Sequence, residues 1–86
     1  MRIRFQKSFS KQFSKLSNTQ KQLVKDTIEL FSDNPYDDSL RNHPLKEEWK
    51  NYRSISVNTD IRLHFKILSD DTALFVAVGN HDQLYK

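Results

Sequence analysis

Cysteine is absent from the 86 residues, and glycine occurs once, at Gly79. Lack of cysteine excludes a disulfide framework and any thiolate metal site, and fits a reducing compartment. The chain contains no Gly-rich phosphate loop, no serine nucleophile elbow and no His-x-x-x-His metal pair. GTPase, dehydrogenase and metalloprotease chemistry are thereby set aside. Apolar runs are short: none approaches the roughly 18 residues of a membrane span, and the opening Met1–Lys7 has no apolar signal region. The expectation is a soluble cytoplasmic chain using no metal and no cofactor. What remains for chemistry is acid–base and electrostatic work by His, Asp, Arg and Tyr.

A chain of this length makes one domain, 1–86, burying about 60–65% of its unfolded surface. Its net charge is modest, with 14 Lys and Arg against 11 Asp and Glu, giving +3. The distribution is uneven. Arg2, Arg4, Lys7, Lys11, Lys15, Lys21 and Lys25 all precede the first acid, Asp26. Such a block is a solvated helical face, a footprint for RNA or ribosome, or a surface for an acidic partner; charge alone does not choose among them.

Ile3 and Phe5 alternate with Arg2 and Arg4, which predicts a short strand. Ser8 or Ser10 then caps a helix carrying Phe9, Phe13 and Leu16. A second helix starts from Ser17 with Gln20, or Thr19 with Gln22, at capping-box spacing and runs to about Ser32, with Leu23, Val24, Ile28, Leu30 and Phe31 as its stripe. Asn34-Pro35 stops it. After a loop over 35–50, strands follow at about 51–58 and 61–68, joined by the turn Asn58-Thr59-Asp60. Ala73–Val78, apolar on both faces, is expected to be central, and His81 onward is a short tail. The fold class is α+β. An N-terminal strand and a helical hairpin cover one face of a roughly four-stranded antiparallel sheet, in the order β-α-α-β-β-β, and the other face is left to water or a ligand.

Candidate site residues cluster around that open face. His43 enters the strands and His81 leaves them, so two imidazoles of ordinary pKa near 6.5 can meet as base and acid, or simply be surface histidines. His64, inside a strand, reads as a partly exposed cross-strand residue. Asp60 and Arg62 share a face by period two, as a surface ion pair or as a phosphate-binding element. Arg53 is placed to add a second guanidinium beside Arg62. Tyr85 either packs back on the sheet or stacks on a base, and Trp49 reads as a plug over the core edge.

In order and spacing, Leu40-Arg-Asn-His-Pro-Leu45, Trp49-Lys-Asn-Tyr-Arg-Ser-Ile-Ser-Val57, Asp60-Ile-Arg-Leu-His-Phe65 and Val78-Gly-Asn-His-Asp-Gln-Leu-Tyr85 resemble the RelE/ParE toxin superfamily, and within it the YafQ-like mRNA interferases. The resemblance implies a toxin of a type II toxin–antitoxin system, held by a cognate antitoxin, that enters the ribosomal A site and cleaves mRNA without metal. It implies His81 as the acid for the leaving group, His43 and Asp60 as base and orienting group, Arg62 on the scissile phosphate, and Tyr85 positioning the substrate. Arg53, Lys50 and Lys46 fall where basic residues meet RNA. Ser56 stands where such toxins carry another histidine, and Glu47 and Asn51 replace glycines around the tryptophan. Alternatives on the same fold are a ParE-like inhibitor of DNA gyrase and an inactive homologue that still binds antitoxin. The nuclease reading requires the imidazole of His81 and the guanidinium of Arg62 to converge on the sheet face away from the helices.

Overall fold

The computed structural model describes residues 1–85. The chain runs β1 (Arg2–Phe5), α1 (Lys7–Ser14), α2 (Asn18–Asp33), β2 (His43–Pro44), β3 (Arg53–Ser56), β4 (Ile61–Ser69), β5 (Thr72–Asn80) and α3 (His81–Leu84), with 3₁₀ turns at Asp38–Leu40 and Glu47–Trp49. The strands form one sheet of five in the order β1-β5-β4-β3-β2. The expected α+β architecture holds, with two differences. The two-residue β2 adds a strand beside β3, too short to show any alternation. The other is β1, which pairs parallel to β5, Arg2 opposite Thr72 through Phe5 opposite Phe75, while every other pairing is antiparallel.

The amphipathic stripes behave as their spacing dictates. Phe9 of α1 and Val24 and Phe31 of α2 are buried, whereas Leu23 at the edge of the stripe stays exposed. The Ser17–Gln20 capping box forms, each side chain taking the other's backbone N–H at 3.1 Å, an arrangement worth about 1 kcal/mol. Neither Ser8 nor Ser10 caps α1: the N-cap is Gln6, with no side-chain cap. The Ser8 hydroxyl instead donates to the Val76 carbonyl at 2.7 Å, pinning the helix to the central strand. Phe31 sits edge-on to Phe65 and Phe75, at 4.8 and 5.3 Å between ring centroids. Ile55, Ile61, Leu63 and Val78 complete this core. Burying one such side chain stabilises by about 1.5–3 kcal/mol.

β5 is apolar on both faces because it serves two cores. His64 pairs with Ala77 and Phe65 with Phe75, which leaves Val76 as the extra residue of a β-bulge. The bulge sends Phe75 and Val78 to the helical face. Val76 and Ala77 join Leu84, Trp49, Tyr52 and Leu74 in a second small core. The segment after Gly79 is therefore no loose tail. Asn80 and Gln83 form a capping box, each accepting from the other's backbone N–H at 2.8 Å, and the Trp49 indole N–H donates to the Leu84 carbonyl at 3.1 Å. Gly79 makes the return possible: a Cβ there would come within 2.8 Å of Gln83 Oε1 and 3.2 Å of Gln83 Cβ. The face expected to be open is thus half covered by the chain's own end.

Candidate active site

Strand register lays the polar face out in rows. One row runs His43, Ser54, His64, Ala77 across β2, β3, β4 and β5; the next runs Ser56, Arg62, Gly79. Directly opposed residues in an antiparallel pair project to the same side, so His43, His64 and Arg62 share the face opposite α1 and α2. α3 brings His81 and Tyr85 over it. The Tyr85 ring lies 4.7 Å from that of His81 and 5.2 Å from that of His64, centroid to centroid, and the Tyr85 hydroxyl is 3.0 Å from His64 Nε2. Tyr85 is thus the hub. Its phenol is pushed up by burial, with the Arg62 charge pulling it back. His81 and Arg62 thus lie on the same side of the sheet, away from α1 and α2.

Each group is held by its local backbone. His43 donates from Nδ1 to the Arg41 carbonyl at 2.7 Å. A carbonyl can only accept, so the proton sits on Nδ1 and Nε2 is left as the basic nitrogen of this exposed ring. Arg41 itself is in the left-handed region at φ 52°. Arg62 donates from Nη1 to the carbonyls of Asn58, at 2.7 Å, and Ile61, at 3.3 Å. That leaves Nη2 and Nε without a partner among the described residues, two donors in the geometry that grips phosphate oxygens. Arg62 lines a surface hollow with Arg41, Ser39 and Ser56, so the second guanidinium near it is Arg41. His81 is exposed, with Asp82 3.7 Å from its Nδ1.

Other expected members lie elsewhere. Arg53 is on the side of Ile55, hydrogen-bonds Asn42 at 2.7 Å and lies over Tyr36, so it does not sit beside Arg62. Asp60 precedes β4, in a turn where the Asn58 side chain takes the amides of Asp60 and Ile61. Strand alternation does not reach it, and it borders a separate cleft with Lys15, Gln20 and Asn80. Lys46 lines a hollow with Trp49 and Tyr85, at the margin of the cluster. Lys50 lies with Arg53 and Ile67 at the sheet edge.

His64 departs most from expectation. It is fully buried rather than partly exposed, because Trp49 stands edge-on at 4.3 Å and Tyr85 closes over it. Burial, helped by the nearby His43, pulls its pKa down to about 4. The ring is therefore neutral at pH 7. The Asn80-x-x-Gln83 spacing is the signal in the sequence that foretells this cover. Among the described residues no group of three or more His, Cys, Asp or Glu is arranged to hold a metal ion.

The whole chain, residues 1–86, matches the family model described as the bacterial toxin of type II toxin–antitoxin system, YafQ. The chain belongs to the YafQ family of toxins. The crystal structure of Escherichia coli YafQ superposes with a TM-score of 0.83 at 27% identity, all of each chain covered. A structure of the E. coli DinJ-YafQ toxin–antitoxin complex gives a TM-score of 0.80 at 26% identity, covering 98% of this chain and 96% of the other. A YoeB/ParE toxin from Agrobacterium tumefaciens, 15% identical over 94% of this chain and 99% of its own, shares the fold at a TM-score of 0.76. A search of curated protein sequences gives no match. Among the described residues no helix of this YafQ-family toxin is long and apolar enough to cross a membrane.

Proposed function

We propose that this YafQ-family toxin is an endoribonuclease that cuts mRNA in the ribosomal A site and is neutralised by a cognate antitoxin. The observation that carries the reading is the convergence of His43, Arg62, His81 and Tyr85 on one sheet face. In the reaction, His43 Nε2 takes the proton of a ribose 2′-OH as that oxygen bonds to the adjacent phosphorus. The P–O5′ bond breaks, and His81 gives its proton to the leaving O5′. The products are a 2′,3′-cyclic phosphate and a 5′-OH, and no oxidant, reductant or metal is called for. Arg62, with Arg41 beside it, offsets charge building on the non-bridging oxygens. Tyr85 gives a flat surface on which a base can stack. Each acid or base contributes about 10²–10⁴-fold, and the ribosome's hold on the mRNA supplies orientation. Asp60 has no part in this scheme.

The antitoxin reading rests on the family and on the E. coli complex with DinJ. With Lys11 and Lys21 on the helices and Lys15 just after α1, and the Arg41–Arg62 hollow on the other side of the sheet, an acidic partner segment suits either surface better than a neutral one.

The test is cleavage of mRNA on programmed ribosomes, with primer extension to locate cuts and end-group analysis of the products. Wild type is expected to yield 2′,3′-cyclic ends, and His81→Ala to lose at least about 100-fold in rate. Equal cutting by the two, or arrest without cuts, sinks the nuclease assignment. Gyrase-linked DNA breaks in cells would favour the ParE-like alternative.

A further inference from the structure

The mechanism above leaves one buried ionisable group unused. His64 is fully buried, its Nδ1 has no hydrogen-bond partner, and the hydroxyl of Ser54, directly opposite on β3, has none either. An aliphatic side chain would fill this site, between Trp49 and Ala77, without an unpartnered ring nitrogen. The one polar contact that His64 makes is Nε2 to the Tyr85 hydroxyl, at 3.0 Å. Tyr85 follows a helix of four residues. That hydroxyl contact holds its ring, together with packing against the imidazole of His64, and the ring is what His81 lies against at 4.7 Å.

We propose that His64 is a positioning residue for cleavage, acting through the Tyr85 hydroxyl to hold the aromatic ring beneath His81 and the substrate. This rests on the nuclease reading above. His64 touches neither reacting atoms nor RNA; it sets where Tyr85 stands. Its neutrality at pH 7 suits that task, because a neutral imidazole offers one donor and one acceptor and pairs with a phenol in either tautomer.

Two measurements test it. In toxin labelled with ¹⁵N-histidine, the His64 Nε2 resonance is compared between wild type and Tyr85→Phe, a readout independent of activity. A clear shift is expected; an unchanged resonance overturns the contact and the proposal. Single-turnover cleavage on programmed ribosomes is then measured for His64→Leu, Tyr85→Phe and the double variant. Each single change is expected to slow cleavage about 10-fold with the half-saturating ribosome concentration unchanged, and the double variant to lose about 10-fold, not 100-fold. His64→Gln, whose amide can still pair with the phenol, is expected to recover part of the rate. Multiplicative losses, a wild-type rate for His64→Leu, or a change in half-saturation alone would overturn the role. A wild-type chain that shows the NMR shift yet cuts no mRNA refutes the nuclease reading itself, and reduces His64–Tyr85 to a structural contact.

Discussion

Gly79→Ala separates the stability of the fold from the placement of its site. Gly79 is buried opposite Arg62 and does not have a positive φ, so alanine is allowed by the backbone. Reducing the freedom of the unfolded chain favours the variant by about 0.4–1 kcal/mol. Against this, the new methyl would stand 2.8 Å from Gln83 Oε1 and 3.2 Å from Gln83 Cβ. The amide end can swing away, losing its hydrogen bond from the Asn80 N–H at a cost of about 1 kcal/mol. The Cβ moves only with α3, by a few tenths of an ångström. These terms offset each other to within about 1 kcal/mol, yet α3 carries His81 and Tyr85. The expected outcome is a urea midpoint close to wild type, a changed fluorescence of Trp49, whose indole donates to the Leu84 carbonyl, and cleavage slowed about 10-fold. Gln83→Ala, which opens the capping box without the clash, should show the smaller effect of the two. Full activity with unaltered Trp49 emission would refute the link between Gly79 and the site. Destabilisation above about 3 kcal/mol would show that the backbone, not a side-chain tip, meets the methyl.

Three further outcomes follow from the structure. The pKa of His64 falls from 6.5 to about 4 on folding, so below pH 6.5 the unfolded chain binds a proton that the native chain refuses. Stability should drop as pH falls from about 6.5 to 4, by at most about 1.4 kcal/mol per pH unit; His64→Leu should flatten that part of the urea-midpoint profile, and a slope unchanged in the variant would contradict the assignment. Glu47 and Asn51 have φ of 56° and 77°, so Glu47→Gly should raise stability by about 0.5–1 kcal/mol and Asn51→Gly by less, since asparagine tolerates this region; a lower thermal midpoint for Glu47→Gly would count against it. Phe31→Ala, between Phe65 and Phe75, should cost about 3–5 kcal/mol, whereas His81→Ala, at an exposed position, should leave chemical denaturation within about 0.5 kcal/mol of wild type.

The helical hairpin and the β3–β4–β5 meander were legible because apolar spacing records which face is buried, and the Ser17–Gln20 box marked the start of α2. The double apolar face of β5 correctly placed it at the centre. Alternation, though, cannot record a bulge: a strict period of two through β5 puts Val76 on the side of Val78, and the bulge turns it to the other face. Nor can it tell a polar face that meets water from one covered by a distant segment. His64 looked half-exposed for that reason, and the cover provided by Trp49 and α3 made it the most buried of the three histidines. His43, Arg62, His81 and Tyr85 could be placed on one side of the sheet because strand and turn positions fix where they lie. Arg53 was misplaced because it lies an odd number of residues from the row of Arg62 across β3 and β4, and the period-two count could not be carried back to Asp60, which precedes β4. Arg41 gave no signal of its own, since its place depends on a left-handed turn at a residue type that seldom adopts one.

β1 lies parallel to a strand that begins at Thr72, so closing this edge of the sheet joins segments far apart in the sequence, the kind of contact that forms slowly. No fragment ending short of that point has anything for Ile3 and Phe5 to pair with, and none holds His81 or Tyr85. A fragment cut before β5 accordingly lacks both the β1 edge of the sheet and the α3 side of the candidate site.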